Sequence, residues 1–410
     1  MSHLKFQSPI VIRVDEAFGK LFLFFAFTPW VHWGTNSLDS QPWPILFGLV
    51  YIASANRKFK VNLYFLAFSL AVLVFLMFSL LINIPSNVFL TIRGFGNYFT
   101  FIVVLMASYD FISRFRISNK FLVLINVLWI SAALVEIVDP SIITGISHYR
   151  TTSERGLTSL APEPTYFAIF LFFFSWILLL NNPYKKPISV KLMILFNGLS
   201  IIFLAQSAMG VLLLGIVFIA LIIWHLFKKR RRKYNIMVLA GILLASFFVS
   251  QLGYEYSEKS RLFKLVNVIS TDSIYSVVRS DASINARVQH VVLPIHSSYH
   301  NYFIPGGLEG FGEIREQIID QYDGFFWYRV SSEKIMSWMG SFIFELGIGG
   351  VISILFIFFV IIVRRGLSSI LQISVLFLIL FSAVPLAFPL VAIVFSYFCV
   401  PKYNVGYDQR

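Results

Sequence analysis

The chain has 410 residues, of which 58% are hydrophobic and 13% are charged, and its formal net charge is +13. Together with a mean hydropathy of +0.78, this composition excludes a soluble globular protein and indicates one integral membrane domain over residues 1–410. The positive charge does not indicate a nucleic-acid partner. Most of the 33 Lys and Arg residues lie at the polar ends of hydrophobic segments, where they anchor helices against anionic membrane lipid.

In chain order, the hydrophobic segments approach the roughly 20 residues that a helix needs to cross about 30 Å of hydrocarbon. Two nearly uncharged runs are too long for one crossing, and we divide them at Gln206 to Gly210 and at Pro385 and Pro389. The sequence therefore predicts an all-α polytopic membrane protein. Its twelve predicted spans are 18–33, 41–55, 61–83, 94–112, 121–138, 163–181, 190–205, 210–227, 235–252, 335–363, 368–384 and 386–400.

The polar breaks between these spans alternate in charge. The basic breaks are Asn56 to Lys60, Arg114 to Lys120, Lys185 to Lys191, Lys228 to Lys233 and Arg364-Arg365. The shorter breaks between them contain no Lys or Arg, so the positive-inside rule places the basic breaks in the cytoplasm. An even number of spans then places both chain termini in the cytoplasm as well.

Two longer breaks on the external side contain Arg, which membrane insertion does not explain. They are a short loop at 139–164 and a large loop at 253–334, between the ninth and tenth predicted spans. We expect the large loop to form short helices over the outer mouth of the helix bundle. These two loops are where the sequence points to function.

The short external loop combines two Arg residues with a carboxylate. Arg150 and Arg155 precede Glu163, which stands before Pro164 at the predicted start of a span. An Arg guanidinium binds phosphate oxygens in bidentate fashion, and a nearby carboxylate can act as a general base. Alternatively, the Arg side chains contact lipid headgroups and Glu163 only caps the helix.

The large loop offers a second pair of Arg residues and a pair of His residues. Arg279 and Arg287 are eight positions apart, which would place both on roughly one side of a helix; a solvated helix face is the alternative. His296 and His300 have the i, i+4 spacing of metal ligands, but no third ligand accompanies them in this stretch. An ordinary polar pair is therefore the favoured interpretation of the two His residues.

Four ionisable residues lie within or at the ends of predicted spans, where charge is costly and often functional. Asp110 lies near a cytoplasmic end and is interpreted as structural. Arg93 and Glu136 lie near external ends, so both stay candidates, with Arg93 as a substrate ligand. Glu345 precedes a Gly-rich stretch that permits close helix packing.

Three short motifs resemble those of bacterial O-antigen polymerases of the Wzy type. The resemblance covers about residues 90–365, and its specificity lies in the order of the motifs. The ligases of the same superfamily usually carry a His-Asn pair some nine residues before the Glu-Leu-Gly, where this chain has Met336-Ser337, which favours a polymerase. The motifs are Arg155-Gly-Leu-Thr-Ser-Leu-Ala-Pro-Glu163-Pro-Thr-Tyr-Phe-Ala, Ser283-Ile-Asn-Ala-Arg287 and Glu345-Leu-Gly-Ile-Gly.

The resemblance implies a GT-C-like membrane enzyme in the bacterial inner membrane. Such an enzyme transfers an oligosaccharide from undecaprenyl diphosphate to a new lipid-linked repeat unit on the periplasmic face, and a chain-length regulator is a possible protein partner. Arg93, Arg150, Arg155, Arg279 and Arg287 would bind the substrate. The catalytic base would be Glu163 first and His296 or His300 next.

No metal or other cofactor is expected, because the sequence contains no Asp-x-Asp motif and Arg can stabilise the leaving diphosphate. An O-antigen ligase and a capsule or exopolysaccharide polymerase stay open as alternatives within the superfamily. A lipid-linked oligosaccharide flippase is the alternative from another class. It is disfavoured because charge concentrates in the external loops rather than along a central cavity.

Overall fold

The computed structural model describes residues 9–32, 41–54, 59–83, 87–147, 156–182, 187–227, 264–265, 267–268, 271–328, 334–366, 369–382 and 384–400. The regular elements in these ranges are helical, which confirms the predicted all-α class. The α-helices are α1 Pro9–Ala26, α2 Trp43–Ser54, α3 Leu63–Ile82, α4 Val88–Arg114, α5 Asn119–Val138, α6 Pro140–Thr144, α7 Pro164–Asn181, α8 Ile188–Phe203, α9 Ala208–Phe227, α10 Ile274–Ser280, α11 Ala282–His300, α12 Phe311–Ile319, α13 Trp338–Glu345, α14 Ile348–Arg365, α15 Ile370–Phe381 and α16 Pro389–Cys399.

Most helices that correspond to predicted spans lie within several residues of them, but α1, Pro9–Ala26, begins nine residues before the first predicted span, 18–33, and ends seven residues before the end of that span. Five of those described are long and apolar enough to cross a membrane, namely α3, α4, α5, α7 and α14, and shorter apolar helices accompany them. Helix α4 begins at Val88 rather than near residue 94, because the side chain of Asn87 accepts hydrogen bonds from two free N–H groups of its first turn. The ninth predicted span, 235–252, lies outside the described residues.

The predicted tenth span, 335–363, is wrong as a continuous helix. It consists of α13 and α14, which are separated at Leu346 and Gly347. Gly347 has a φ of +58°, and a Cβ on it would lie 2.2 Å from the carbonyl oxygen of Phe303. The chain therefore breaks here because the backbone of the external segment passes directly against it, and only glycine permits that approach.

The bundle has a basic end and an acidic end. At the basic end, Arg114 pairs with Asp110 at 2.8 Å, and the guanidinium of Arg365 donates to the carbonyl groups of Tyr397 and Phe398. The acidic end contains the carboxylates of Glu136, Glu163, Glu309 and Glu345. Residues 156–163 and 271–328, from the two predicted external loops, lie together at this acidic end.

Aromatic side chains form the core between the helices. Trp129 of α5 is buried, stacks on Phe170 of α7 with ring centroids 3.8 Å apart, and donates from Nε1 to the carbonyl of Phe27 at 3.0 Å. Helix α16 packs along α4, where the hydroxyl of Ser396 donates to the carbonyl of Leu105 at 3.0 Å. These contacts hold α1, α4, α5, α7 and α16 as one bundle.

The external segment forms a second, smaller core at the acidic end. Its buried members include Leu293 of α11, Phe311 of α12 and Phe344 of α13. Helix α11 lies along α13, and the hydroxyl of Ser298 donates to the carbonyl of Ile343 at 3.2 Å. The expectation of short helices is only partly met, because α11 is 19 residues long.

Candidate functional site

The start of α7 brings a carboxylate, a hydroxyl and a guanidinium together. Glu163 is the N-cap residue of α7, as predicted, but its side chain makes no capping hydrogen bond. Arg287 of α11 donates from Nη2 to the hydroxyl of Thr165 at 2.6 Å, and the same nitrogen lies 3.9 Å from Oε2 of Glu163. Two of the motifs singled out in the sequence therefore meet at one place.

Both charged side chains keep some access to solvent. The Arg287 side chain is 14% exposed and the Glu163 side chain is 24% exposed. At 3.9 Å, the pair is longer than a direct hydrogen bond. The contact between Arg287 and Glu163 is therefore a loose ion pair between two partly exposed side chains.

Glu136 fixes the segment that leads into α7. Its buried carboxylate accepts from the backbone N–H of Thr158 at 2.8 Å, from the Thr158 hydroxyl at 3.0 Å and from the N–H of Ser159 at 2.7 Å. Ser159 in turn adopts a φ of +56° and donates from its hydroxyl to the carbonyl of Trp129. Glu136 thus positions the segment that leads to Glu163. The sequence did not reveal this positioning role.

The α8–α9 hairpin holds the same segment from the other side. The N–H of Leu157 donates to the carbonyl of Leu204 at 2.8 Å. A Cβ on Gly156 would lie 2.1 Å from the carbonyl oxygen of Ala205, so a glycine is required for this close approach. Ser207, at the start of the hairpin's second helix, lies 3.3 Å from the hydroxyl of Thr165.

The prediction that Arg279 and Arg287 share one side of a helix is wrong. Asp281 ends α10 and caps α11, so the two Arg residues belong to different helices. The guanidinium of Arg279 lies over the ring of Phe325, 5.6 Å from its centroid. The chain turns at Asp281 because its carboxylate accepts from the N–H of Ile284, which starts a new helix.

His296 and His300 do lie on one helix, with ring centroids 4.4 Å apart. Nδ1 of His296 is 3.0 Å from the hydroxyl of Tyr322. Partial burial, and secondarily the neighbouring His300, lower the pKa of His296 below its usual value. A neutral imidazole at pH 7 can accept a proton, so this pair stays a candidate base.

The third His of the external segment is different. His290 is fully buried in α11, its ring lies 5.8 Å from that of Phe311, and neither ring nitrogen has a hydrogen-bond partner. Burial, followed by the positive charges of Arg315 and Arg287, lowers the pKa of His290 to about 3. It is therefore a neutral core residue at physiological pH.

Arg93 is engaged by a carboxylate that the sequence did not single out. Its guanidinium donates to both oxygens of Glu309, at 3.2 and 2.7 Å. The N–H of Glu309 lies 3.4 Å from Oε1 of Glu345, and the hydroxyl of Tyr98 donates to Oε2 of Glu345 at 2.7 Å. This chain of contacts ties α4 and α13 to the external segment, and it gives Arg93 a structural ion pair with Glu309 there.

Asp110 fits its structural interpretation. It accepts from the hydroxyl of Tyr51 at 2.7 Å, from the N–H of Lys60 at 2.7 Å and from Nε of Arg114 at 2.8 Å. These partners satisfy a fully buried carboxylate. It lies at the basic end, across the bundle from Glu163.

Several residues of the candidate site were not predicted from the sequence. Thr165 and Ser207 carry ordinary hydroxyls, whose convergence depends on the tertiary packing of α7, α9 and α11. Glu309 is one acid among several in its stretch, and only its contact with Arg93 distinguishes it. Arg150 and Arg155 lie outside the described residues, so their contacts stay a prediction.

Within the part of the chain that the structure describes, no three His, Cys, Asp or Glu side chains group as a metal site. Comparison with known proteins adds no relative. No protein-family model matches the chain, and neither a curated protein nor a solved structure matches it.

Proposed function

We propose that this protein is an O-antigen polymerase of the bacterial inner membrane. It has about twelve spans in a GT-C-like arrangement, and its acidic end faces the periplasm. It transfers a growing oligosaccharide from undecaprenyl diphosphate to a new lipid-linked repeat unit. The observation that carries the proposal is the contact of Arg287 with Thr165 and its approach to Glu163.

This convergence supports the proposal because the two motifs lie more than a hundred residues apart in the chain. A diphosphate leaving group needs fixed positive charge, and an attacking sugar hydroxyl needs a proton acceptor. Arg287 and Glu163 offer these two groups side by side. Glu345, from the third motif, lies at the same end of the bundle, next to Glu309.

In the proposed reaction, a hydroxyl of the acceptor sugar attacks the anomeric carbon of the donor. The new glycosidic C–O bond forms as the bond from that carbon to the diphosphate oxygen breaks. The hydroxyl proton passes to Glu163, and the diphosphate leaves with the electron pair, held by Arg287. Arg150 and Arg155 are assigned to the same diphosphate.

The lipopolysaccharide ladder of a deletion strain tests the proposal. Core lipid capped with a single repeat unit is the result expected for a missing polymerase. Uncapped core with accumulated lipid-linked polymer would instead identify a ligase, and single units accumulating on the cytoplasmic side would identify a flippase.

The transfer is proposed to need no metal, because Arg supplies the charge that would offset the leaving diphosphate. Purified protein with lipid-linked repeat units should therefore keep its activity in excess EDTA. Its rate should fall with added salt, since exposed charges are screened over about 8–10 Å. Activity lost in EDTA and restored by magnesium would contradict the metal-free mechanism.

A further inference from the structure

A turn that follows α11 displays a tyrosine on a strained backbone. Tyr302 and Phe303 have φ angles of +51° and +56°, in the left-handed region that bulky side chains rarely adopt. The turn is nevertheless ordered by the backbone, since the N–H of Phe303 donates to the carbonyl of Ser298 at 2.7 Å. The Tyr302 side chain is 87% exposed, so its packing within the chain does not offset the strain. Strained residues cluster at functional sites, so this exposed tyrosine calls for a partner outside the chain.

The turn is fixed at the ends of two helices that are long and apolar enough to cross a membrane. The carbonyl of Phe303 accepts from the N–H of Ile348, the first residue of α14, at 2.8 Å. Nδ2 of Asn83, which ends α3, donates to the carbonyl of Pro305 at 2.7 Å. With 20 and 18 residues, α3 and α14 are about 30 and 27 Å long, close to the thickness of the hydrocarbon layer. Their ends at this turn therefore mark the height of the membrane surface.

The apolar surface of these two helices continues into the turn. Leu81 of α3 and Ile352 of α14 are exposed on the bundle surface, where a membrane-spanning helix meets lipid. Ile304 is exposed in the turn, and so are the polar side chains of His300 and Asn301. Aromatic, aliphatic and polar groups at this height have the composition of the membrane–water interface, where a tyrosine ring contacts acyl chains and its hydroxyl contacts water.

We propose that Tyr299, Tyr302 and Ile304, which we call the anchor surface, insert into the headgroup region of the membrane leaflet at the acidic end of the bundle. The bilayer is favoured over a protein partner because the anchor surface continues the lipid-facing surface of α3 and α14. Helix α11 then reaches the start of α7 through Arg287 and the membrane edge through the anchor surface. The anchor surface thus holds the external segment against the membrane, whatever reaction the protein catalyses.

Spin labels test the depth of the anchor surface without requiring activity. Each label is attached to a new cysteine in protein that also carries Cys399→Ser, which removes the single native thiol. Tyr302→Cys reports on the anchor surface, and Tyr275→Cys is the matched control, because Tyr275 is a tyrosine of the same external segment and is 69% exposed. Ile352→Cys on α14 is the reference for lipid. In vesicles of phosphatidylethanolamine and phosphatidylglycerol, collisions of the label with oxygen are compared with collisions with a water-soluble nickel complex.

Oxygen concentrates in lipid and the nickel complex stays in water. The ratio of oxygen to nickel collisions at Tyr302 should therefore lie well above the ratio at Tyr275 and below that at Ile352. A ratio equal to that at Tyr275 would show that the turn stands in water and would overturn the proposal. A label at Tyr302 that neither reagent reaches would show that protein covers the turn, which overturns the proposal as well.

A second measurement asks whether Tyr302 itself holds the turn at the interface. With the label on Ile304→Cys, Tyr302→Ser should raise nickel collisions severalfold, because serine lacks the ring that partitions into the interface, and Tyr302→Trp should leave them low. Tyr275→Ser in the same labelled protein should leave them unchanged. Equal nickel collisions with and without Tyr302→Ser would contradict an anchoring role for this residue. Neither measurement depends on polymer synthesis, so a failure of the proposed function would leave the anchor surface in place.

Discussion

Arg287 places a permanent positive charge beside two groups of the adjacent helix, the Thr165 hydroxyl and the Glu163 carboxylate. Each charge-assisted hydrogen bond to a phosphate is worth about 1.5–3 kcal/mol, or about tenfold to more than a hundredfold in rate. Arg287→Ala should therefore abolish polymer at unchanged protein abundance. Arg287→Lys should keep part of the activity, because Lys retains the charge but loses the planar fork. The lipopolysaccharide ladder, with immunoblots for abundance, measures both variants.

Arg279→Ala is the matched control for this change. Arg279 belongs to the same external segment, but its guanidinium stacks over Phe325. Its loss should shorten the polymer only mildly. A normal ladder from Arg287→Ala would remove Arg287 from the proposed site.

His290 makes the external segment sensitive to acid. Its pKa is about 3 in the folded protein and about 6.5 in an unfolded chain, so the unfolded state binds more protons between these values. Stability should consequently be highest above pH 6.5 and fall as the pH drops toward 3. His290→Phe removes this proton uptake while keeping an aromatic ring beside Phe311, and it should flatten the fall.

Melting temperatures of the purified protein between pH 4 and pH 8 measure this dependence. His300→Phe is the control, because His300 is exposed at the end of the same helix. It should leave the slope close to that of the unaltered protein. Identical slopes for His290→Phe and the unaltered protein would contradict a buried neutral imidazole.

At the scale of elements, Glu136 couples α5 to the segment before α7. Removing its carboxylate leaves the buried donors of Thr158 and Ser159 without their partner, at about 1–3 kcal/mol for each unpaired group. Glu136→Ala should lower activity strongly and increase hydrogen exchange at Thr158. Glu136→Gln, which keeps one acceptor oxygen, should show both effects less strongly. Hydrogen exchange read by mass spectrometry, together with the polymer ladder, distinguishes positioning from general unfolding.

Asp139→Asn is the comparison for this prediction. Asp139 is a half-buried acid a short distance along the chain, and it caps α6 by accepting from the N–H of Ser141. Asn is equally good as a cap, so exchange and activity should stay unchanged. Unchanged exchange at Thr158 in Glu136→Ala would mean that the carboxylate does not hold this segment.

The sequence predicted most helix positions because hydrophobic length and polar breaks are local properties. Where a side-chain cap determines the end of a helix, the predicted end differs from the observed one, as Asn87 shows for the start of α4. The break at Gly347 was missed, because it depends on the backbone of Phe303, which lies far away in the chain. The sequence placed Glu163 and Arg287 only on the same side of the membrane. It did not predict their contact, since sequence spacing carries no information on tertiary distance.

At the scale of the whole molecule, charge divides the bundle between its ends. Arg114, Arg116 and Arg365 lie at the basic end, where Arg116 donates to the side-chain oxygen of Asn182 at 2.9 Å. The carboxylates of the candidate site lie at the acidic end. Among the described residues, the basic breaks and the carboxylates of the candidate site thus lie at opposite ends of the bundle.

This separation leads to a prediction about membrane orientation. By the positive-inside rule, reporter fusions after Ser118 and Arg365 should give cytoplasmic signals, and fusions after Ser153 and Asp320 should give periplasmic signals. An alkaline phosphatase and green fluorescent protein pair reads both sides, because the first is active only in the periplasm and the second fluoresces only in the cytoplasm. A fusion after Arg231 adds a control for the basic break before the ninth predicted span.

Lipid-linked repeat units are joined on the periplasmic face in the proposed reaction, so Arg287 and Glu163 must be exposed there. A cytoplasmic signal after Asp320 would place both side chains on the cytoplasmic face and would contradict both the polymerase proposal and the predicted topology.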